Sequence, residues 1–373
     1  MVDGKLAYVI TPSRLGVLLY PYTALRIVMV DELITLAHGA GGREMGDLLH
    51  KLIFSRVKRE ASAVNGGVGL EAADDGATIP MPDGRHLVLS TDSYTVHPLF
   101  FPGGDIGKLA ACGSINDVVM MGGRPLAMVD AIIVAEGVEM RVLEKVFESF
   151  LSVLEEEGVA LIGGDFKVMP QGSLDSIVVS TTCIGVAEEP IVDQNLRPGD
   201  KILVSGYLGD HGATILALQQ GLEVEGEGLK SDVRALTPLL KVLQKWRGYI
   251  HAARDPTRGG LAAVLNEWAA KTGTVIVLEG RKVPVRPIVR SYAEMLGLDP
   301  LYLASEGVAV LGVDGEVAED VLEDVIRAGF KDARIIGEVK SGGSHPGLVL
   351  YRSEVGGHRI LEPPTGELVP RIC

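Results

Sequence analysis

The 373 residues exceed the length at which one hydrophobic core stops growing, so a chain that is 47% hydrophobic and 23% charged is expected to form two domains. Its 49 acidic and 35 basic residues give a formal charge of −14, which argues against a nucleic-acid partner but leaves room for a nucleotide joined to acids by a divalent metal. Three cysteines exclude a disulfide framework, and no CxxC or His/Cys cluster points to zinc.

Met1 to Val30 is fairly apolar, but Pro12, Arg14, Pro21 and Arg26 interrupt it. No uninterrupted apolar run of about 18 residues occurs, so no membrane-spanning helix is expected. The segment also lacks the cleavage site of a secretory signal, and the expected location is the cytoplasm. Met29 offers an alternative start that would leave out the first 28 residues, and residues 1–33 are expected to form an N-terminal extension that is a candidate for disorder.

Strand and helix signals then alternate, as in α/β or α+β domains. His86 to Ser90 reads as a strand that ends in Thr91-Asp92. Gly103-Gly104 and Gly122-Gly123 bracket a helix from Asp105 to about Met120. Met140 to Glu157 is a second helix, with Leu143, Val146, Phe147, Phe150, Leu151 and Leu154 at helical spacing. Strands follow at Ala160–Ile162 and Ile177–Val186. The stretch 188–200 is polar, carries two prolines and lacks periodicity, which places a domain boundary between 34–189 and 190–360. The second half predicts a strand at Lys201–Ser205, a helix from Ala213, a helix after Gly260 and a strand at Val275–Leu278. A helix at Val317–Arg327 and strands at Ala333–Val339 and Leu348–Tyr351 complete it. Residues 361–373 carry three prolines and few core-forming side chains, and read as a flexible tail.

Acids recur at strand ends, in Gly-rich turns and at helix ends: Asp74 and Asp75 in AADDGAT, Asp92 in STDS, Asp117 in SINDVV, Asp165 in GGDFK and Asp255 in RDPTRGG. One such Asp alone also serves as a turn or cap residue. A hard cation is typically held by one or two carboxylates together with substrate phosphates. Asp117 stands apart, because Ile106, Ala110, Gly113 and Asp117 share one helical stripe and the carboxylate joins an apolar face. A buried ion costs several kcal/mol without a partner, so Asp117 should meet either a shared metal or an Arg.

Three Gly-rich loops, His38–Arg43, Gly206–Gly212 and Thr257–Gly260, offer backbone N–H groups for phosphates or ordinary turns. None fits GxxxxGK[ST] or GxGxxG after a strand. Lys167 follows Asp165 closely, where an amine can meet phosphate oxygens or stay solvated, and Glu306 in LASEGVAV suits a base or a turn. Cys112 and Cys183 sit in apolar patterns and read as inert core residues. Cys373 ends the tail, whose residues from Leu361 onward span up to about 40 Å when extended, enough to enter a distant cleft.

Together these pieces resemble the HypE family of nickel-iron hydrogenase maturation factors. That family belongs to the superfamily of aminoimidazole ribonucleotide synthetase, selenophosphate synthetase and thiamine-phosphate kinase. The resemblance runs from about Ile34 to Cys373 on LAHGAGG (36–42), STDSYTVHPLFFPGGDIGKLA (90–110), ND (116–117), GDFKV (164–168), VSGYLGDHGATIL (204–216), RDPTRGG (254–260), SEG (305–307) and PRIC (370–373). It implies a two-domain α/β fold whose N-terminal domain binds ATP and pairs with a second subunit, ending in a flexible tail. It also implies ATP-dependent dehydration of a carbamoyl group on Cys373 to a thiocyanate, with HypF as carbamoyl donor and a HypC–HypD complex as cyanide acceptor. Carried over residue by residue, Asp75, Asp92, Asp117 and Asp255 are the implied Mg2+ ligands. Gly41, Gly42, Thr91, Asp165 and Lys167 are the implied ATP contacts, with Lys167, Glu306 and Cys373 as catalytic groups. Phe166 stands where the family motif GDTKV has Thr.

Two other readings compete. One is an ATP-dependent small-molecule synthetase or kinase of the same superfamily, although HGAGG lacks the nearby reactive Cys of a selenophosphate synthetase. The other is a non-enzymatic carrier whose tail docks on partner proteins.

Overall fold

A computed structural model of the protein describes residues 33–373 apart from 223, 225–227, 354, 367–368 and 370. The expected extension, save Leu33, lies outside the described residues. In chain order the first half contains α1 (Arg43–Leu49), β1 (Ala77–Pro80), β2 (His86–Tyr94), a small ribbon of β3 (Phe100–Phe101) and β4 (Gly104–Asp105), α2 (Ile106–Met120), β5 (Arg124–Ala135), α3 (Met140–Glu157), β6 (Ala160–Met169) and β7 (Ile177–Ala187). Its five-stranded sheet has the order β1-β2-β7-β5-β6. The β5–β6 pair is parallel and the others are antiparallel. Parallel neighbours need a long crossover, and α3 supplies it.

Asp105 starts α2 by accepting the N–H groups of Gly107 and Lys108 at 2.7 and 3.1 Å. Every residue of α2 except Lys108 is buried, because the helix lies between the sheet, α3 and the second half of the chain. A Cβ on Gly107 would fall 2.0 Å from the Val146 carbonyl oxygen, so only glycine lets α2 and α3 approach this closely. In α3 the buried stripe is Val146, Phe150, Val153 and Leu154, and Gly158 ends the helix at φ +64.

The second half contains β8 (Lys201–Val204), α4 (Asp210–Gln219), α5 (Leu240–Lys245), β9 (Ile250–Arg254), α6 (Gly260–Thr272), β10 (Val275–Glu279), α7 (Pro287–Met295), β11 (Val310–Val313), α8 (Ala318–Arg327), β12 (Arg334–Lys340), β13 (Leu348–Arg352) and β14 (His358–Ile360). Its seven-stranded sheet runs β14-β13-β10-β12-β8-β11-β9 and shares no strand with the first. The halves are joined through a common apolar cluster in which Ile115 and Met128 belong with Leu203, Leu236 and Leu311. Asn116 adds polar ties across the junction, donating to Arg234 O at 3.1 Å and accepting Leu236 N–H at 2.8 Å.

Two differences from the sequence reading matter for the site. β2 continues through Tyr94 and β6 through Met169, so Asp92 and Asp165 lie within strands instead of in the turns after them. The irregular segment 361–373 has an address: Leu361 and Ile372 are buried, and Arg43 N–H donates to Pro364 O at 3.0 Å.

Candidate active site

The acids that face the domain junction come from separated parts of the chain. Alternation along β2 turns Ser90, Asp92 and Tyr94 toward α2, with Ser90 and Tyr94 buried. Ser90 Oγ donates to Asp117 Oδ2 at 2.5 Å, and Asp117 is 9% exposed. Asp75 precedes β1, and Asp255 occupies the turn between β9 and α6. Carboxylate oxygens of Asp75, Asp117 and Asp255 lie within 4.8 Å of one another. Oδ2 of Asp75 and of Asp255 is buried without a hydrogen-bond partner.

Burial, followed by the charges of Asp92, Asp255 and Asp75, holds the Asp117 carboxyl well above its ordinary range. Burial and Asp92 push Asp255 up to about 7. Asp75 is raised by burial although Arg254 opposes the shift. Asp92 is raised by burial, with the Arg258 guanidinium pulling the other way. Among the described residues no Lys or Arg forms an ion pair with Asp117, so the Arg that sequence reasoning offered as its partner is not there. Three converging, desolvated hard oxygens with orphaned lone pairs fit a small divalent cation.

Arg254 compensates the outer side of this cluster. Its Nε stands 3.1 Å from Asp75 and 2.9 Å from Asp193, and Nη1 reaches Glu267 at 2.8 Å. Lys271 Nζ meets Asp74 at 3.0 Å and Asp193 at 3.4 Å. Asp74 thus belongs to this ionic knot, and burial together with Asp193 pushes its carboxyl up to about 6.

Glu306 is 1% exposed and its Oε1 has no hydrogen-bond partner. Burial, then Asp255, Asp232 and Asp92, raise its carboxyl well above the usual range. The half-buried Cys373 sits in the same electrostatic neighbourhood. Burial pushes its thiol up, Arg258 opposes that shift, and Glu306, Asp92 and Asp255 add to it. Thr95 holds this residue by donating its N–H and Oγ1 to Cys373 O at 3.0 and 3.1 Å. His97 N–H donates to Arg371 O at 3.1 Å, and Arg371 Nε returns a bond to Thr95 O at 2.8 Å. The tail is therefore laid along residues 95–97 by backbone pairing.

The other expected contacts stand elsewhere. Gly41 has φ +75, and a Cβ there would fall 2.7 Å from Arg258 Cβ; one on Gly42 would fall 2.5 Å from Pro364 O. These glycines let the first loop pack closely on the Arg258 turn and the tail. Thr91 is exposed on the sheet face opposite Asp92, donating to Thr181 O at 3.1 Å and accepting from Thr182 Oγ1 at 2.9 Å. Asp165 and Lys167 pair with each other at 2.6 Å on exposed β6, three strand spacings or about 14 Å from β2, apart from the acidic cluster of the same chain. Residues that sequence reasoning left without a role are Arg254, Arg258, His211, Asp193 and Asp232. The first three lie in quoted motifs, but their partners are remote in sequence.

Comparison with known proteins gives the chain its family. The chain matches the AIR synthase related protein N-terminal domain over residues 73–187 and the corresponding C-terminal domain over 197–347. It is 41% identical over 347 residues to carbamoyl dehydratase HypE of Escherichia coli, covering 91% of this chain and 99% of that protein. A solved hydrogenase maturation protein HypE in complex with ATP is similar with TM-score 0.74 and 40% identity, covering 91% of this chain and 99% of that one. A solved HypE–HypF complex gives TM-score 0.77 and 37% identity, covering 87% of this chain and all of that one.

Proposed function

The chain belongs to the HypE carbamoyl dehydratases among the AIR synthase related proteins, and from that premise we propose how its residues divide the work. The protein is an ATP-dependent carbamoyl dehydratase of hydrogenase maturation. The group dehydrated is an S-carbamoyl group on Cys373, and the product is a thiocyanate. One observation carries this assignment: the thiol is docked where the charges of Glu306, Asp92, Asp255 and Arg258 all act on it.

The balance is simple. The carbamoyl oxygen takes the γ-phosphoryl group of ATP and ADP leaves as the nitrogen gives up one proton; the nitrogen then loses its second proton, phosphate departs with the former carbonyl oxygen, and the C≡N bond forms. Phosphoryl transfer of this kind depends mainly on positioning and charge neutralisation. Asp75, Asp117 and Asp255, with Asp92 beside them, would hold Mg2+, which neutralises phosphate charge when bound. Glu306 is the base for the nitrogen proton, because a carboxylate with a raised pKa accepts a proton more readily near neutral pH. Arg258 offsets negative charge around the sulfur and Glu306. Thr95 keeps the thiol from swinging out of the pocket by gripping the Cys373 backbone oxygen.

HypF is the partner that carbamoylates Cys373, and a HypC–HypD complex is the acceptor of the cyanide. Edge strand β6 exposes Leu161, Ile162, Phe166, Val168 and Met169. An unpaired, apolar edge of this kind suits pairing with a second copy, and that pairing is how Asp165, Lys167 and the hydroxyl face bearing Thr91 would serve a nucleotide. Among the described residues no helix is long and apolar enough to cross a membrane.

Replacing Glu306 with Gln tests the assignment of the base. Carbamoylation by HypF should persist, while water loss slows by about 100-fold in single-turnover mass analysis. Unchanged water loss would remove Glu306 from the chemistry.

A further inference from the structure

His211, in α4, belongs to none of the acid groups above, yet it is fully buried and committed on both ring nitrogens. Its Nδ1 lies 2.7 Å from Ser231 Oγ and its Nε2 lies 2.7 Å from the carbonyl oxygen of Ile372. Phe101 packs edge-to-face on the ring with centroids 5.3 Å apart. Burial pushes the imidazole down to about 4, so the ring is neutral at physiological pH and carries one N–H. A carbonyl only accepts, so Nε2 holds the hydrogen and Nδ1 accepts from the Ser231 hydroxyl. Ser231 is itself fixed, donating its N–H to Pro102 O at 2.8 Å while its Oγ accepts Val233 N–H at 3.1 Å.

The next residue links this grip to the acid pocket. Asp232 accepts the N–H groups of His211, Glu306 and Gly307 at 3.1, 3.2 and 3.0 Å. One short segment, Ser231 to Val233, therefore fixes both the ring that holds the tail and the backbone that carries Glu306. Thr95 and His97 come from the first half of the chain, whereas His211 holds the tail from the second. A one-residue slip of the tail would move the thiol by up to about 3.8 Å.

Building on the assignment of the reacting group to Cys373, we propose that His211, oriented by Ser231, is a positioning residue whose hydrogen bond to the Ile372 carbonyl sets the register of the tail and so places Cys373 against Glu306. Its ring bonds to Ser231 and the Ile372 carbonyl instead of to the thiol or a carboxylate, and it acts through the docked peptide.

The test uses the full chain and reads Cys373 in two ways. The first is the rate of iodoacetamide alkylation of Cys373, followed by the mass of the C-terminal peptide, without HypF or ATP. The second is single-turnover water loss from the HypF-carbamoylated protein. For His211→Ala, loss of one buried hydrogen bond predicts alkylation about tenfold faster and water loss about tenfold slower, with KM for ATP unchanged. His211→Gln, whose amide N–H can replace Nε2–H, should return both rates to within about threefold of the parent. Ser231→Ala keeps the ring but frees its orientation, predicts about threefold changes in the same directions, and decides the matter should His211→Ala fail to unfold cooperatively. Parent-like alkylation in the Ala variants, or His211→Gln behaving like His211→Ala, overturns the proposal. A parent protein whose carbamoyl group never loses water refutes the assigned reaction instead, and the alkylation rates still decide whether His211 holds the tail.

Discussion

The acidic pocket and the β6 edge each carry an Asp that a short Gly-containing motif brings to notice, and the two have opposite physical fates. Asp117 is nearly sealed from solvent, bonded to Ser90 and surrounded by other carboxylates. Asp165 pairs with Lys167 in the open, with both side chains more than half exposed. An exposed pair contributes about 0–1 kcal/mol, so it is compatible with any role or none. A buried carboxylate without a cation costs several kcal/mol, so its persistence calls for a ligand. Burial, more than residue type, separates the two regions.

The largest effect should come from breaking the pocket. Asp117→Asn is expected to slow ATP-dependent water loss at least about 100-fold while HypF-dependent carbamoylation continues. The same substitution should raise the melting temperature of the Mg2+-free protein, because it removes one desolvated charge. Activity within about tenfold of the parent would deny the pocket its role.

A smaller effect is expected at the edge. The double variant Asp165→Asn, Lys167→Met should change unfolding free energy by less than about 0.5 kcal/mol, measured by denaturant titration. If a second copy brings this strand to the nucleotide, water loss should still slow by about tenfold. Unchanged kinetics would confine the site to the pocket of one chain.

A further expected effect is thermodynamic. Asp255 rises from its ordinary 3.8 to about 7, and Asp232 rises to about 6, chiefly through burial. Between those values the folded protein binds more protons than the unfolded chain, so stability is greatest near pH 4 and declines as pH rises to about 7. Calorimetry without Mg2+ should show the midpoint falling over that window. Mg2+ should restore it at pH 7 by binding only the folded acids. A midpoint that ignores Mg2+ would mean that these carboxylates do not share a cation.

Much of the frame was legible because local signals were complete. In α3 the apolar stripe and Gly158 mark the whole helix, and the Asp105 cap marks the start of α2. β5 escaped, because RPLAMVDAIIVA is a nearly continuous apolar run in a central strand and lacks the period of two that marks a half-exposed one. The acids of the pocket were recognisable as residue types in motifs. Their convergence was not, since it joins the loop before β1, the end of α2 and the turn after β9 across two sheets. Asp193 was hidden for a related reason: it lies in the polar stretch read as a linker, and only folding brings it to Arg254. The prolines of the tail showed irregularity, but its berth is written in Thr95, His97 and His211.

Everything returns to the fate of the group on Cys373. The most direct measurement is the intact mass of the C-terminal peptide, first after HypF and carbamoyl phosphate, then after ATP and Mg2+. The expected result is gain of one carbamoyl group followed by loss of one water. A carbamoyl group that persists with ATP and Mg2+ present, or that forms on a residue other than Cys373, would contradict the account.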